Sequence, residues 1–322
     1  MTISWPLTSA TDLLFPLYPI LTFNLTSCTV HCPLFTVHCL LYNKLMNEQI
    51  FFSVIIPTYN RRPFLEKAVR SVLAQSYAGF ELLVVDDGST DGSGDLLRSF
   101  EDPRIRIFSR QNRGVASARN TALKEASGDF VAFLDSDDWW KKNKLKRACD
   151  LIREHPEIHI FHTEEVWYRR GRLLNQKNKH KKPSGFVYLN ALPLCCISIS
   201  TAVVKKEVFA ETGMFDESME ACEDYDFWLR ATSRYKIKLI PEYLTLKDGG
   251  RPDQLSSRVW GLDRFRIKAL EKMLSSGKLS EELERATLEE LTKKCRIFAN
   301  GAEKRGKPYE ANRYRSIPLK YI

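Results

Sequence analysis

Three acidic groupings are the residues of this chain best equipped for chemistry. Asp135-Ser136-Asp137-Asp138 follows directly on the apolar run Phe130-Val131-Ala132-Phe133-Leu134. Hard carboxylate oxygens at i and i+2 suit Mg²⁺ or Mn²⁺, which keep one or two protein carboxylates and complete their shells with water and phosphate oxygens. Such an ion neutralises a diphosphate as it departs. Asp135, Asp137 and Asp138 are therefore the candidate metal ligands. Capping of a helix over Trp139 to Lys146 would explain one or two of these aspartates, but not three beside an apolar strand end.

The second grouping is Asp86-Asp87-Gly88-Ser89, which stands beyond the run Glu81 to Val85 and beside Pro57-Thr58-Tyr59-Asn60. A polar turn capping a helix near Gly92 accounts for it conformationally. Functionally, Asp87 can accept from a base N–H of a nucleotide while Tyr59 stacks on the base and excludes water. The third is Glu223-Asp224, at the start of an amphipathic stretch. Transfer to a hydroxyl needs a carboxylate within hydrogen-bond reach of the attacking O–H, and Asp224 is the candidate base, with an N-cap as the alternative. Arg119, in Asn112 to Asn120, is either a phosphate clamp or a surface arginine of an amphipathic helix.

These residues need a frame that brings them to one place. Phe52-Ser53-Val54-Ile55-Ile56 predicts a strand, the stretch through Ser76 a helix, and Glu81 to Val85 a second strand followed by a helix through Phe100. Arg104 to Phe108, Val115 to Ala126 and Phe130 to Leu134 continue the alternation. The pattern implies an α/β fold with a mostly parallel sheet covered on both faces. Ligands bind such sheets outside the carboxyl ends of the strands, which is where the acidic groupings fall. Five carboxylates, Asp86, Asp87, Asp135, Asp137 and Asp138, would repel one another there without a cation or donors among them. Farther on, the text predicts helices at Lys141 to Glu154, Lys205 to Thr212 and Asp224 to Ser233, and strands at Ile158 to His162 and Ser198 to Val204. Ser256 to Lys304 predicts two helices broken at Ser275-Ser276-Gly277. Tyr168 to Lys182 receives no assignment.

Taken in this order, Ser53 to Asn60, Val84 to Asp91, Ala118-Arg119-Asn120, Phe133 to Asp138 and Glu223-Asp224 resemble the family 2 glycosyltransferases over about Phe51 to Ser257. The resemblance implies a GT-A fold and inverting transfer of a sugar from a nucleotide-sugar, UDP-linked by default, to a glycan or glycolipid acceptor in cell-envelope polysaccharide biosynthesis. It also implies that Pro57, Thr58, Tyr59, Asn60 and Asp87 hold the nucleotide, that Asp135 and Asp137 contact donor and metal with Asp138 contributing, and that Asp224 is the base. Lys247 to Ser256 resembles the mobile loop that the family carries over the donor, with hinge freedom from Gly249-Gly250 and a diphosphate cation in Arg251. The Gln-x-x-Arg-Trp motif of the processive synthases is not found. A nucleotidyltransferase is disfavoured because the loop after Ile56 holds no glycine, and a catalytically inactive nucleotide-sugar binder stands as the other alternative.

Composition fits this reading. The 322 residues are 43% hydrophobic and 28% charged, which indicates neither disorder nor a polytopic membrane protein. Eight cysteines without paired spacing fit a reduced, cytoplasmic setting, and the crowding of Cys28, His31, Cys32, His38 and Cys39 lacks zinc-site spacing. No charge falls between Asp12 and Lys44, yet Pro16, Pro19, Asn24, His31, Pro33 and His38 spoil a membrane span, and the start lacks the basic residues of a signal peptide. The expectation is an extension over 1–45 that catalysis does not need, a transferase domain over 46–255 and a basic helical extension over 256–322. The net charge of +9 favours acidic partners. Cations from Arg264 to Lys307 point to an acidic acceptor or to peripheral contact with an anionic membrane, at its inner face, with a solvated helical face as the alternative. Nucleic acid is not an expected partner, since the acidic edge repels phosphate and no binding motif is present.

Overall fold

Seven consecutive buried residues, Phe52–Thr58, form β1 at the heart of the sheet's first half. The structure, a computed structural model, describes residues 49–169, 171–174, 180–249 and 259–322. β1 pairs in parallel with β2 (Phe80–Asp86) and with β4 (Phe130–Phe133), and β3 (Ile105–Ser109) adds in parallel outside β2. Both faces of β1 are apolar because both are covered. Phe52, Val54 and Ile56 share a core with α1 (Arg62–Leu73), α2 (Ser93–Arg98) and α4 (Lys144–Glu154), whereas Ile55 shares the opposite core with α3 (Val115–Glu125).

Beyond β4 the strand directions mix. The described strands continue with β5 (Asp138–Trp140), β6 (Ile160–Arg169), β7 (Arg172–Leu174), β8 (Ala202–Lys205) and β9 (Ile237–Gly249), in the order β3-β2-β1-β4-β8-β6-β9-β5, with β7 paired to β6. β8 runs antiparallel to both β4 and β6, β9 is parallel to β6, and β5 is antiparallel to β9. β9 and the length of β6 escape the sequence pattern for a physical reason. The register between them shifts around Thr163, Glu164 and Glu165, so period-2 alternation is reset in mid-strand. Pro241, which has no N–H to donate, falls inside that irregularity, between Ile240 and Tyr243. The run from Ser198 likewise opens with a 3-10 turn, Ile199–Thr201, before β8 begins.

The later helices are α5 (Tyr188–Ala191), α6 (Lys206–Thr212), α7 (Glu223–Thr232), α8 (Asp263–Ser275), α9 (Glu281–Lys304) and α10 (Pro308–Ser316). The break after Ser275 falls where the sequence puts it, with Gly277 at φ 62° and the Ser280 hydroxyl accepting from the Leu283 N–H to cap α9. α10, opened by Pro308, is an additional helix. α7 is buried from two sides. Phe227 and Trp228 pack toward the sheet with Phe209 and Phe215, and Tyr225 and Leu229 pack toward α8 and α9 with Leu270, Leu291 and Phe298. Each of these large side chains contributes roughly 1.5–3 kcal/mol by leaving water, so α7 is a rigid mount for whatever its first turn carries. No helix among the described residues is long and apolar enough to cross a membrane.

Candidate active site

The carboxyl ends of β1, β2 and β4 open into a cavity of ≈ 540 Å³, whose opposite wall is the first turn of α7. Pro57, Thr58, Tyr59, Asp87, Arg119, Asp135, Asp137, Asp138 and Asp224 all line it. Asn60 is not among the lining residues and instead braces the loop, with a left-handed φ of 50° fixed by two bonds: its N–H donates to Ser89 Oγ and its Oδ1 accepts from the Thr90 N–H. Thr58 is buried and its Oγ1 has no partner among the described residues, whereas the Tyr59 ring is half exposed at the mouth.

Asp87 is turned into its own protein. Its carboxylate accepts from the Gly114 N–H at 2.8 Å, the Arg113 N–H at 3.1 Å and Arg110 Nε at 2.7 Å. It thereby fixes the loop that leads from β3 into α3. Gly88 permits the turn. Its φ is +85°, and a Cβ there would lie 3.0 Å from the Asn112 nitrogen and 3.1 Å from the Arg110 oxygen, both backbone atoms that cannot swing aside.

The Asp135 to Asp138 turn is not a helix cap. α4 begins only at Lys144, and β5 intervenes, starting at Asp138 itself. The backbone instead delivers three carboxylates to three environments. Asp135 Oδ1 accepts from Arg119 Nη2 at 2.8 Å, and its N–H donates to Ser200 Oγ. Asp137 is partly exposed in the cavity wall. Asp138 is buried, and its Oδ2 lies 3.3 Å from Lys247 Nζ, its register partner on β9. Burial pushes the Asp138 carboxyl up to about 7, against the downward pull of Lys247. Behind the turn, fully buried Lys144 donates to the carbonyls of Ser200 and Thr201 and to Thr245 Oγ1, with its ammonium held well below the usual range by burial.

Whether this wall suits a divalent ion follows from those environments. Asp135 keeps one oxygen clear of Arg119, and Asp137 faces the cavity, so this pair fits Mg²⁺ or Mn²⁺. Asp138, packed on Lys247, fits the role of a support behind the pair. Among the described residues no three His, Cys, Asp or Glu side chains converge on one point, in keeping with ions that draw most of their ligands from substrate and water.

Arg119 is not a surface arginine. Only 3% exposed, it reaches Asp135 from one amino group and Glu223 Oε1 from the other, and the nearby carboxylates raise its pKa against the cost of burial. On the facing wall, Cys222 is left-handed at φ 62°, a conformation that costs a non-glycine residue about 1–2 kcal/mol. α7 starts at the next residue, so Asp224 sits inside the first turn and not at the N-cap. Its Oδ1 accepts from the Tyr225 N–H at 2.7 Å, and Cys195 Sγ lies 3.4 Å from its Oδ2. Burial raises the Cys195 thiol far above its ordinary range, so it stays protonated and donates.

Arg251 and residues 1–45 lie outside the described residues, as does the loop from Gly250 to Ser256. Among the contributors to the site that escaped the sequence reading are Ser200, Cys195, Arg61, Arg266 and, as a cavity residue, Lys247. For Lys247 a signal was present. Thr245 and Lys247 stand at i and i+2 in a strand and so share one face, the face of Lys144 and Asp138.

The family model described as Glycosyl transferase family 2 matches residues 53–211. The Escherichia coli protein UDP-Glc:alpha-D-GlcNAc-diphosphoundecaprenol beta-1,3-glucosyltransferase WfgD is 35% identical over 194 residues, 60% of this chain and 74% of that one. A second E. coli protein of the same description, WfaP, is 33% identical over 191 residues, 56% of this chain and 70% of that one. The chain spans about a third, 32%, of the length of the rickettsial uncharacterized glycosyltransferases it matches. Among solved structures, S. aureus TarS 1-349 in complex with UDP-GlcNAc superposes with a TM-score of 0.66 at 22% identity, covering 81% of this chain and 79% of that one, a likeness of fold. With its motifs gathered around one cavity of a GT-A fold and relatives of this identity and coverage, the chain belongs to glycosyl transferase family 2.

Proposed function

We propose that the chain transfers a sugar from a nucleoside diphosphate sugar, UDP-linked by default, to a hydroxyl of a lipid-linked glycan, with inversion at the anomeric carbon. The observation that carries this reading is the opposition of Asp224 to Asp135 and Asp137 across a single cavity. In-line displacement needs a base at one end and charge neutralisation at the other, and the cavity draws its carboxylates from two different elements, the first turn of α7 and the turn after β4. Asp224 accepts the acceptor O–H proton as that oxygen bonds to the anomeric carbon, and the bond from that carbon to the diphosphate oxygen breaks with its electron pair leaving on the diphosphate. A divalent ion bound through Asp137 and Asp135 would supply neutralisation of the departing diphosphate. Tyr59 and the backbone after β1 bind the base, and the partnerless Thr58 hydroxyl in the buried rear of the cavity supports a polar ligand there. The donor and the diphosphoundecaprenol-linked acceptor named for WfgD and WfaP support the substrate classes.

The test is transfer by purified protein across several nucleotide-sugars with Mn²⁺ or Mg²⁺, alongside Asp224→Asn. The variant should bind donor like the parent while turnover falls ~10²- to 10⁴-fold. Donor binding without turnover in the parent chain would favour an inactive nucleotide-sugar binder. Parent-like turnover in Asp224→Asn would remove Asp224 from its role.

A further inference from the structure

The end of the chain carries a charged and aromatic surface that the cavity does not use. Between Lys304 and Ile322 there are six cations and a single carboxylate, Glu310. The neighbouring acids are already engaged: Glu303 pairs with Arg315, and Glu271 with Lys320. Among the described residues Lys304, Arg305 and Arg313 make no ion pair, and all three are exposed.

Apolar groups stand among these cations. Trp260 is 52% exposed, with the Arg305 guanidinium 4.7 Å and Lys307 Nζ 5.7 Å from its ring centroid. The ring is propped from beneath by Phe298, at 5.9 Å, and Phe298 in turn by Tyr314, at 4.2 Å. Tyr309, 87% exposed, stands in the first turn of α10, and Leu319, 69% exposed, in the 3-10 turn Pro318–Tyr321 that follows it. Exposing a tryptophan, a tyrosine and a leucine beside exposed cations, of which Lys307 is loosely paired with Glu310 at 3.9 Å, is costly in water but favourable at a lipid headgroup boundary. There the rings enter the interface and each cation meets anionic phosphate.

The charge is also polarised along α9. Its first half carries Glu281, Glu282, Glu284, Glu289 and Glu290 against Arg285 alone, whereas its second half carries Lys293, Lys294, Arg296 and Lys304 against Glu303 alone. Twenty-four helical residues span roughly 36 Å, several Debye lengths at physiological salt, so the acidic end does not cancel the basic one.

We infer that Trp260, Arg305, Lys307, Tyr309, Arg313 and Leu319 form a docking surface for a membrane containing anionic lipid. It goes beyond the transfer reading, because docking and chemistry use different residues and can fail separately.

The experiment measures co-sedimentation of the full chain with phosphatidylcholine vesicles, with and without phosphatidylglycerol. Binding is expected only with phosphatidylglycerol, and high salt should release it. Arg305→Gln/Lys307→Gln/Arg313→Gln should lower the partition on the order of 100-fold, at about fivefold per cation. Tyr309→Ser/Leu319→Ser should lower it several-fold and leave its salt dependence in place. Both sets should transfer to a water-soluble acceptor analogue like the parent, which excludes misfolding. Equal binding to both vesicle types overturns the proposal, as does a triple variant that binds normally. Capture of soluble polyphosphate with no vesicle binding would overturn it in favour of an acidic polymer.

Discussion

Arg119 Nη2 lies 2.8 Å from Asp135 Oδ1, and the same guanidinium donates to Glu223 from its other amino group. One buried side chain on α3 thus ties the turn after β4 to the first turn of α7, the two walls between which transfer is proposed to occur. Glu223 is 5% exposed, and burial raises its carboxyl, with Arg119 opposing that rise. The pair holds because each charge is compensated where neither is hydrated.

Removing one partner should therefore cost far more than the pair is worth. Arg119→Met strands Glu223 in the interior and should lower the unfolding free energy by about 3–5 kcal/mol, read from urea denaturation. Adding Glu223→Gln to it should recover part of that loss, since an amide has no uncompensated charge. A single variant within about 1 kcal/mol of the parent would show that the walls are held by packing alone.

A second buried pair gives the stability curve its acid limb. Glu165 on β6 lies 3.1 Å from Lys182, each side chain 3% exposed. Burial pushes the Glu165 carboxyl up, but Lys182 and Lys247 pull it further down, to about 2. The unfolded carboxyl titrates near its ordinary 4.5, so the unfolded chain binds the extra proton between those values. The stability from this pair is fully present above pH ~4.5 and drains away as the pH falls toward 2, by up to about 3 kcal/mol. Glu165→Gln should flatten that limb in denaturation at stepped pH, and an unchanged slope would contradict the assignment.

The sequence gives the first half of this fold more readily than the second, and the reason is local. β1, β2 and β4 are buried on both faces, so each carries a run of at least three consecutive apolar residues whose polar successors mark the ligand edge. β9 alternates, shifts register beside Pro241 and mixes charge into its length, so nothing short-range announces it. The same divide runs through the site. Asp87, Asp135, Asp137 and Asp224 are legible as carboxylates after strands or at a helix start. What each one touches depends on partners far away in the chain: Asp87 on Arg110 and Gly114, Asp138 on Lys247, Asp224 on Cys195. Sequence spacing names such groups, but only packing assigns their neighbours.

Those neighbours separate the three aspartates of the turn. Asp135 and Asp137 are partly exposed in the cavity wall, whereas Asp138 lies buried against Lys247, which also donates to Ser198 Oγ at 2.8 Å. If the divalent ion is bound through Asp135 and Asp137, Asp137→Asn removes a direct ligand and should abolish saturable Mn²⁺ binding, followed by electron paramagnetic resonance or calorimetry with donor present. Asp138→Asn should behave differently. It leaves both ligands in place but frees the positive charge of Lys247 beside them, so Mn²⁺ binding should remain saturable and weaken by about 10- to 100-fold, the usual cost of losing a supporting group. Lys247→Met in the same background should restore part of that affinity, because the uncompensated cation is then gone. Abolition by Asp138→Asn with retention by Asp137→Asn would reverse the roles and make the buried carboxylate the ligand.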